Sequence, residues 1–234
     1  MNLIFPHCRC ISCGAEAKLN NTGLCDNCRG IISEENSLYH SCALCPTFIP
    51  LKERYCDHCF REHAPYFDAA LAVFPYHGAI RQVLHDFKYR GAVKWDKPLG
   101  ALMEEKVNQK LPFHNISLII PVPLHPNRQK IRGYNQSELL AREIGRRMKI
   151  AVDLNTLQRV RDTPSQTGLS REERRKNLHE AFQVVASGNL IGKTVLLVDD
   201  IYTTGTTVKA CARILKKGGA KKVFVVTCAA GKRF

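Results

Sequence analysis

The chain has 234 residues, 44% of them hydrophobic and 24% charged, which is enough apolar material for one ordinary α/β domain with a small appendage and too much for a disordered chain. No apolar run approaches the ~20 residues of a bilayer-crossing helix, and Met1 to Cys8 lack the basic start and long apolar stretch of a signal peptide, so membrane spanning and export are not expected and the cytoplasm is the expected compartment. The formal net charge is +14, and residues 120–234 hold 22 Lys/Arg against 9 Asp/Glu, a field that favours an anionic partner such as phosphate groups, single-stranded DNA or both.

Nine of the eleven cysteines precede residue 60, and eight of them form four Cys-x-x-Cys pairs: Cys10/Cys13, Cys25/Cys28, Cys42/Cys45 and Cys56/Cys59. Such a pair puts two thiolates on one side of a zinc ion, and two pairs joined by a short hairpin complete a closed tetrahedral site with no open position for chemistry. Gly14 and Pro46 follow the knuckles as tight turns require. A disulfide framework does not suit a chain kept in a reducing compartment, so one or two structural zinc ions are expected. Sequential pairing gives two ribbons; a cross-braced pairing of the first with the third and the second with the fourth is the alternative. Cys8, His7, His40, His58 and His63 are read as bystanders. Residues 1–64 are therefore expected to be a double zinc ribbon and residues 65–234 a second domain.

Beyond His63 periodic structure begins. Tyr66–Tyr76 reads as extended, and Ile80, Val83, Leu84 and Phe87 mark an amphipathic helix over Gly78–Tyr89. Pro98 can open a helix with Leu99, Leu102, Met103 and Val107 inward. Ser117–Val122 reads as a buried strand, Ser137–Met148 as a helix with Leu140, Ile144 and Met148 on one face, and Leu154–Val160 as a strand. Thr194–Val198 is a strand, Thr206–Lys217 a helix ended by Gly218-Gly219, and Lys222–Thr227 a strand. Strands alternating with helices predict a parallel, doubly covered sheet whose ligands sit at the C-terminal strand ends.

The segment Val195-Leu196-Leu197-Val198-Asp199-Asp200-Ile201-Tyr202-Thr203-Thr204-Gly205-Thr206-Thr207 is a buried strand, two carboxylates at its end, a hydroxyl-rich turn and a helix start. The turn presents free amides and a positive dipole end to a phosphate, Thr203, Thr204, Thr206 and Thr207 add donors, and Gly205 lets the backbone approach closely. Asp199 and Asp200 are acceptors suited to vicinal sugar hydroxyls, and carboxylates beside a phosphate recruit Mg²⁺. A sugar 5-phosphate fits this arrangement. Gly188–Thr194 (GNLIGKT) is one residue short of a P-loop and precedes its strand, so it is rejected as the phosphate site.

This segment resembles the phosphoribosyl pyrophosphate (PRPP) signature of the type I phosphoribosyltransferases. The resemblance implies that the loop after a first central strand binds pyrophosphate, which gives Arg128 and Arg132 that task, and that the polar stretch Thr163–Arg171 corresponds to a loop closing over PRPP. Ser170 and Glu173 would cap a short helix after it, and Arg171, Arg174 and Arg175 would approach on closure. Lys88 and Arg90 read as solvated helix-end cations, with contact to the ligand or DNA as the alternative, Asn135 and Gln136 as residues ordering a strand-to-helix turn, and Trp95 as packing.

Together with the cysteine pairs and Phe87-Lys88-Tyr89-Arg90-Gly91, these segments resemble the ComF/GntX competence-protein family across essentially the whole chain. That resemblance implies a double zinc ribbon joined to a phosphoribosyltransferase-like α/β domain and a role in DNA uptake during natural transformation. It also implies, as partners, PRPP or a phosphoribosylated nucleotide, the translocation helicase and the recombination mediator. Three readings follow: a phosphoribosyltransferase of unassigned acceptor, a module binding single-stranded DNA through its positive field, and a scaffold whose ribbons contact the helicase.

Overall fold

The structure is a computed structural model that describes residues 10, 13–16, 23, 25–30, 39–61, 66–110, 115–162, 181–185 and 187–232. The expected closing loop Thr163–Arg171, its capping box and Arg171, Arg174 and Arg175 lie outside the described residues, as do Cys8, His7 and His63.

Four parallel strands form the central sheet in the order β3 (Ala69–Pro75), β8 (Lys222–Ala230), β7 (Thr194–Tyr202) and β4 (Leu118–Pro121). Beyond β4 the chain adds a parallel bridge between Ile119 and Val152. The pleat divides the side chains of the two longest strands between the faces: Val195, Leu197, Val223 and Val225 on one, and Leu196, Val198, Phe224 and Val226 on the other. Both faces are apolar because both are covered, as a parallel sheet requires.

Helices α2 (Gly78–Tyr89), α3 (Asp96–Lys110) and α5 (Gln136–Met148) bury Leu84, Phe87, Leu99, Met103, Leu140 and Ile144 against the second face. α3 starts two residues before Pro98: the Asp96 carboxylate accepts from the Lys97 amide at 2.6 Å, and Pro98 falls in the first turn, where a missing N–H costs nothing. The first face is covered by α6 (Thr206–Lys217), by an antiparallel pair made of β5 (Leu157–Arg159) and β6 (Phe182–Val184), and by the segment carrying the last four N-terminal cysteines. That segment contains the hairpin β1 (Tyr39–Ser41) and β2 (Phe48–Pro50) and the short helix α1 (Asp57–Arg61).

The strand expected over Leu154–Val160 is shorter and lies outside the parallel sheet. The Asp153 carboxylate accepts from the amides of Asn155 and Thr156, both at 2.9 Å, and from the Thr156 hydroxyl, so the chain turns away after Val152. Its β6 partner, a three-residue strand with alternating burial, carries too short a pattern to read.

Candidate functional site

β7 does not stop at its acids. Its ladder with β8 continues through Asp199 opposite Thr227 to Tyr202 opposite Ala230, while on its other flank β4 ends at Pro121 opposite Val198. Asp199 and Asp200 therefore sit inside a strand that has lost one neighbour, at the strand-end level where parallel sheets hold ligands. The sequence placed the strand end at Val198, four residues too early, because two adjacent acids read as the edge of a buried run. Both carboxylates are buried.

Asp199 accepts from the Ser137 hydroxyl at 2.8 Å and from the Asp200 amide at 2.9 Å. Burial and the neighbouring Asp200 push its carboxyl up to about 7 against these hydrogen bonds. Ser137 is set by the start of α5: the Asn135 side chain accepts from the Ser137 amide at 3.1 Å and donates to the Val122 carbonyl at 3.0 Å. Asn135 thus caps the helix and pins it to the end of β4, the ordering role its position predicts.

After Tyr202 comes the turn. Gly205 is left-handed (φ 76°) and starts α6, leaving the first-turn amides of the helix without intrahelical partners. The Thr204 and Thr206 hydroxyls lie 2.8 Å apart, and Thr206 and Thr207 are half-buried. A Cβ at Gly205 would sit 2.8 Å from Cε2 of Tyr202 and nearer still to its hydroxyl. Gly205→Ala combines this overlap with left-handed strain, and a loss of about 2–4 kcal/mol is expected in urea unfolding.

The two arginines expected to act together part company. Arg132, at the end of α4 (Pro126–Arg132), donates to Gln136 Oε1 at 2.6 Å, lies over the Tyr89 ring at 5.3 Å and feels the charge of Asp200. Gln136 is anchored in turn by donation to the Phe87 and Lys88 carbonyls. Arg128 instead pairs with Asp162 at 3.3 Å, where Asn127 and His125 also converge. The stretch read as a loop is a short helix, capped by His125 accepting from the Asn127 amide at 3.3 Å and preorganised by Pro126.

Lys88 falls between its two readings, solvated cation and ligand contact: it is half-buried and its charge reaches Asp199. Arg90, by contrast, pairs with Asp86 at the helix end as expected. Arg159 on β5 spreads over Phe182 with Arg128, Asp162 and Asp199 as charged neighbours. A single arginine in a three-residue strand leaves no sequence signal of this.

The cysteines gather in sequential pairs: Cys10, Cys13, Cys25 and Cys28 in one cluster, and Cys42, Cys45, Cys56 and Cys59 in another, with sulfurs within 4.8 Å of one another in each. Tetrahedral zinc with bonds of about 2.3 Å sets its sulfurs about 3.8 Å apart. The Cys13–Cys25 and Cys45–Cys56 separations are 3.8 and 3.7 Å. Amides of Cys25 and Cys56 point at the Cys10 and Cys42 sulfurs, as is usual around bound thiolates. Both clusters are compatible with zinc, and the cross-braced alternative is not the arrangement adopted.

The parallel sheet, the buried acid pair and the glycine turn opening a helix define a phosphoribosyltransferase-type α/β fold, and the family model described as Phosphoribosyl transferase domain matches residues 135–233. The chain belongs to the ComF competence-protein family. It is 32% identical over 225 residues to Competence protein F of Haemophilus influenzae, covering 94% of this chain and 96% of that one. It is also 30% identical to DNA utilization protein YhgH of Salmonella typhimurium, covering 92% of this chain and 94% of that one. Competence protein ComFC of Streptococcus pneumoniae is 29% identical, with 65% of this chain and 64% of the relative covered.

Proposed function

We propose that the chain binds a 5-phosphoribosyl ligand, PRPP or a phosphoribosylated nucleotide, with Mg²⁺ in the crevice beyond β4, and that it acts in DNA uptake during natural transformation. The observation carrying the first part is the juxtaposition of two buried carboxylates with a turn of free amides one strand-end away. The second part rests on relatives named for competence and DNA utilization.

In this reading Asp199 and Asp200 accept from the ribose hydroxyls, directly or through the cation, and Thr203, Thr204, Gly205, Thr206 and Thr207 surround the 5-phosphate. Arg132 lies on the acid-pair side and neutralises pyrophosphate leaving C1, while Arg128 contributes once released from Asp162. Bound Mg²⁺ supplies positive charge to the diphosphate oxygens. Transfer to an acceptor would need mainly orientation and charge stabilisation, which the buried acids and Arg132 supply. The two Cys₄ clusters would hold structural zinc, and the division into residues 1–64 and 65–234 separates ribbons from ligand domain along the chain, with the second ribbon packed into the core of that domain. Among the described residues no helix is long and apolar enough to cross a membrane. The helicase, the recombination mediator and single-stranded DNA are the proposed cytoplasmic partners, the last favoured by the +14 charge. A non-catalytic adaptor that binds DNA and helicase uses the same surfaces without turnover.

Titration calorimetry with PRPP and Mg²⁺ tests the ligand reading: saturable, Mg²⁺-requiring heat is expected, and no heat at millimolar PRPP overturns it. A second test uses pH. The Asp199 carboxyl stands near 7 in the fold against an ordinary 3.8, so the folded state holds that proton more tightly than the unfolded chain. Its contribution to stability is whole below about pH 4 and is lost as pH rises through about 7. A divalent cation at the pair favours the ionised form and offsets that loss. Mg²⁺ is therefore expected to raise the melting temperature more at pH 8.5 than at pH 6, and the difference is expected to vanish in Asp199→Asn.

A further inference from the structure

Tyr202 joins the two halves of the molecule. It is the last residue of β7, it is 2% exposed, and its ring lies against the Cα of Gly205 in the turn. Its hydroxyl is buried and meets no partner within hydrogen-bonding geometry among the described residues; the Cys45 thiol is the side chain that acts on it at short range, and Cys56 and Cys59 act on it through charge. A buried hydroxyl without a partner costs free energy, whereas a thiolate charged by a bound metal is a strong acceptor at the same place.

The backbone makes the same connection. The Phe48 amide donates to the Gly231 carbonyl at 3.1 Å, the Gly231 amide donates to the Tyr202 carbonyl at 2.9 Å, and Phe48 forms a parallel bridge with Lys232. On the far side of the turn, Lys209 in the first turns of α6 donates to His58 Nε2 at 2.7 Å, between Cys56 and Cys59 in the chain. Cys42, Cys45, Cys56 and Cys59 share one apolar core with Tyr202 and Val208, which bracket the turn. The turn is held from beneath by the second cysteine cluster, with Tyr202 at the point of contact.

We infer that the Tyr202 hydroxyl donates to a thiolate of the metal-loaded Cys42/Cys45/Cys56/Cys59 site, making Tyr202 a positioning residue that couples metal occupancy to anion binding at residues 203–207. The inference rests on the sugar-phosphate reading of that turn. Coupling of this kind is reciprocal: whatever metal does for ligand affinity, ligand does for metal retention. Removing an outer-sphere partner of a metal site commonly weakens it 10–100-fold. Phe keeps the ring against Gly205 and removes only the hydroxyl.

The test uses the full chain loaded with ¹¹³Cd, compared as wild type and Tyr202→Phe, with and without PRPP and Mg²⁺. Wild type is expected to show two Cys₄ resonances, one of which moves on Tyr202→Phe and the same one on adding PRPP. In chelator challenge of the zinc-loaded chain, Tyr202→Phe is expected to release one of two metals about tenfold faster, and PRPP to slow that same phase in wild type only. A melting temperature in the variant equal to or above wild type excludes general loosening as the cause. PRPP binding in wild type with both resonances and both release phases unmoved overturns the coupling alone. Absence of PRPP binding in wild type overturns the sugar-phosphate reading and the coupling with it. A resonance that moves with PRPP but not with Tyr202→Phe overturns the role given to the hydroxyl.

Discussion

Asp199→Asn/Asp200→Asn is expected to weaken Mg²⁺-dependent PRPP binding by at least ~100-fold while leaving the fold intact. Each carboxylate offers acceptors only, which suits hydroxyl donors and a cation; each amide substitutes a donor that faces those same groups. Charge-assisted hydrogen bonds contribute about 1.5–3 kcal/mol each, so losing two corresponds to a factor between roughly 10² and 10⁴. The fold is protected because the side-chain amide oxygen introduced by Asp199→Asn can still accept from Ser137 and from the following backbone amide, the two hydrogen bonds Asp199 makes now. Burial already disfavours the charged form of Asp199, so neutralising it relieves a cost and the melting temperature at pH 8 is expected to rise. Calorimetry and thermal melting of the same sample separate the two effects. Wild-type affinity in the double variant would remove the acid pair from the site. Arg128→Ala is expected to have the smaller effect, since that side chain is held by Asp162, and Arg132→Ala the larger.

Which parts of this site were legible in the sequence follows from how far apart its pieces lie in the chain. The acid pair, the turn and the helix start are contiguous, so local chemistry names them: apolar run, acceptors, donors, glycine, helix. The helices over 78–89 and 136–148 were legible for a similar reason, because each carries its own apolar stripe. What the sequence misplaced depended on distant partners. Strand β7 runs on to Tyr202 because β8 stays beside it, and no local pattern states that. The segment at 157–159 leaves the sheet because one carboxylate, Asp153, gathers three donors. Ser137, Lys88 and Arg159 reach Asp199 from three separate elements, and each alone reads as an ordinary polar surface residue. The pairing of the cysteines was open for the same reason: spacing fixes the knuckles but not which knuckles meet.

Removing metal from the second cysteine cluster is expected to destabilise the whole α/β domain, and not only the hairpin that carries the ligands. A closed Cys₄ zinc site in an independent ribbon supports that ribbon alone, and its loss leaves a neighbouring domain untouched. Here Phe48 and Ile49 are buried in the core that includes Val195, Leu197, Val223 and Val225 of the sheet, and Phe48 continues the hydrogen bonding past the end of β8. Without metal, four buried thiols must be accommodated within 4.8 Å of one another or the hairpin must open, and opening exposes one face of the sheet. Cys45→Ser/Cys56→Ser is therefore expected to cost about 4 kcal/mol, comparable with stripping several apolar side chains from a core. In a chain of this length that corresponds to a fall of about 8–16 °C in melting temperature. The decisive observation is the number of transitions: the sheet, followed by far-ultraviolet circular dichroism, is expected to melt earlier in the variant and in one step. A sheet transition unmoved from wild type, preceded by a small separate loss of the hairpin, would show instead that the second ribbon folds by itself and merely rests against the turn.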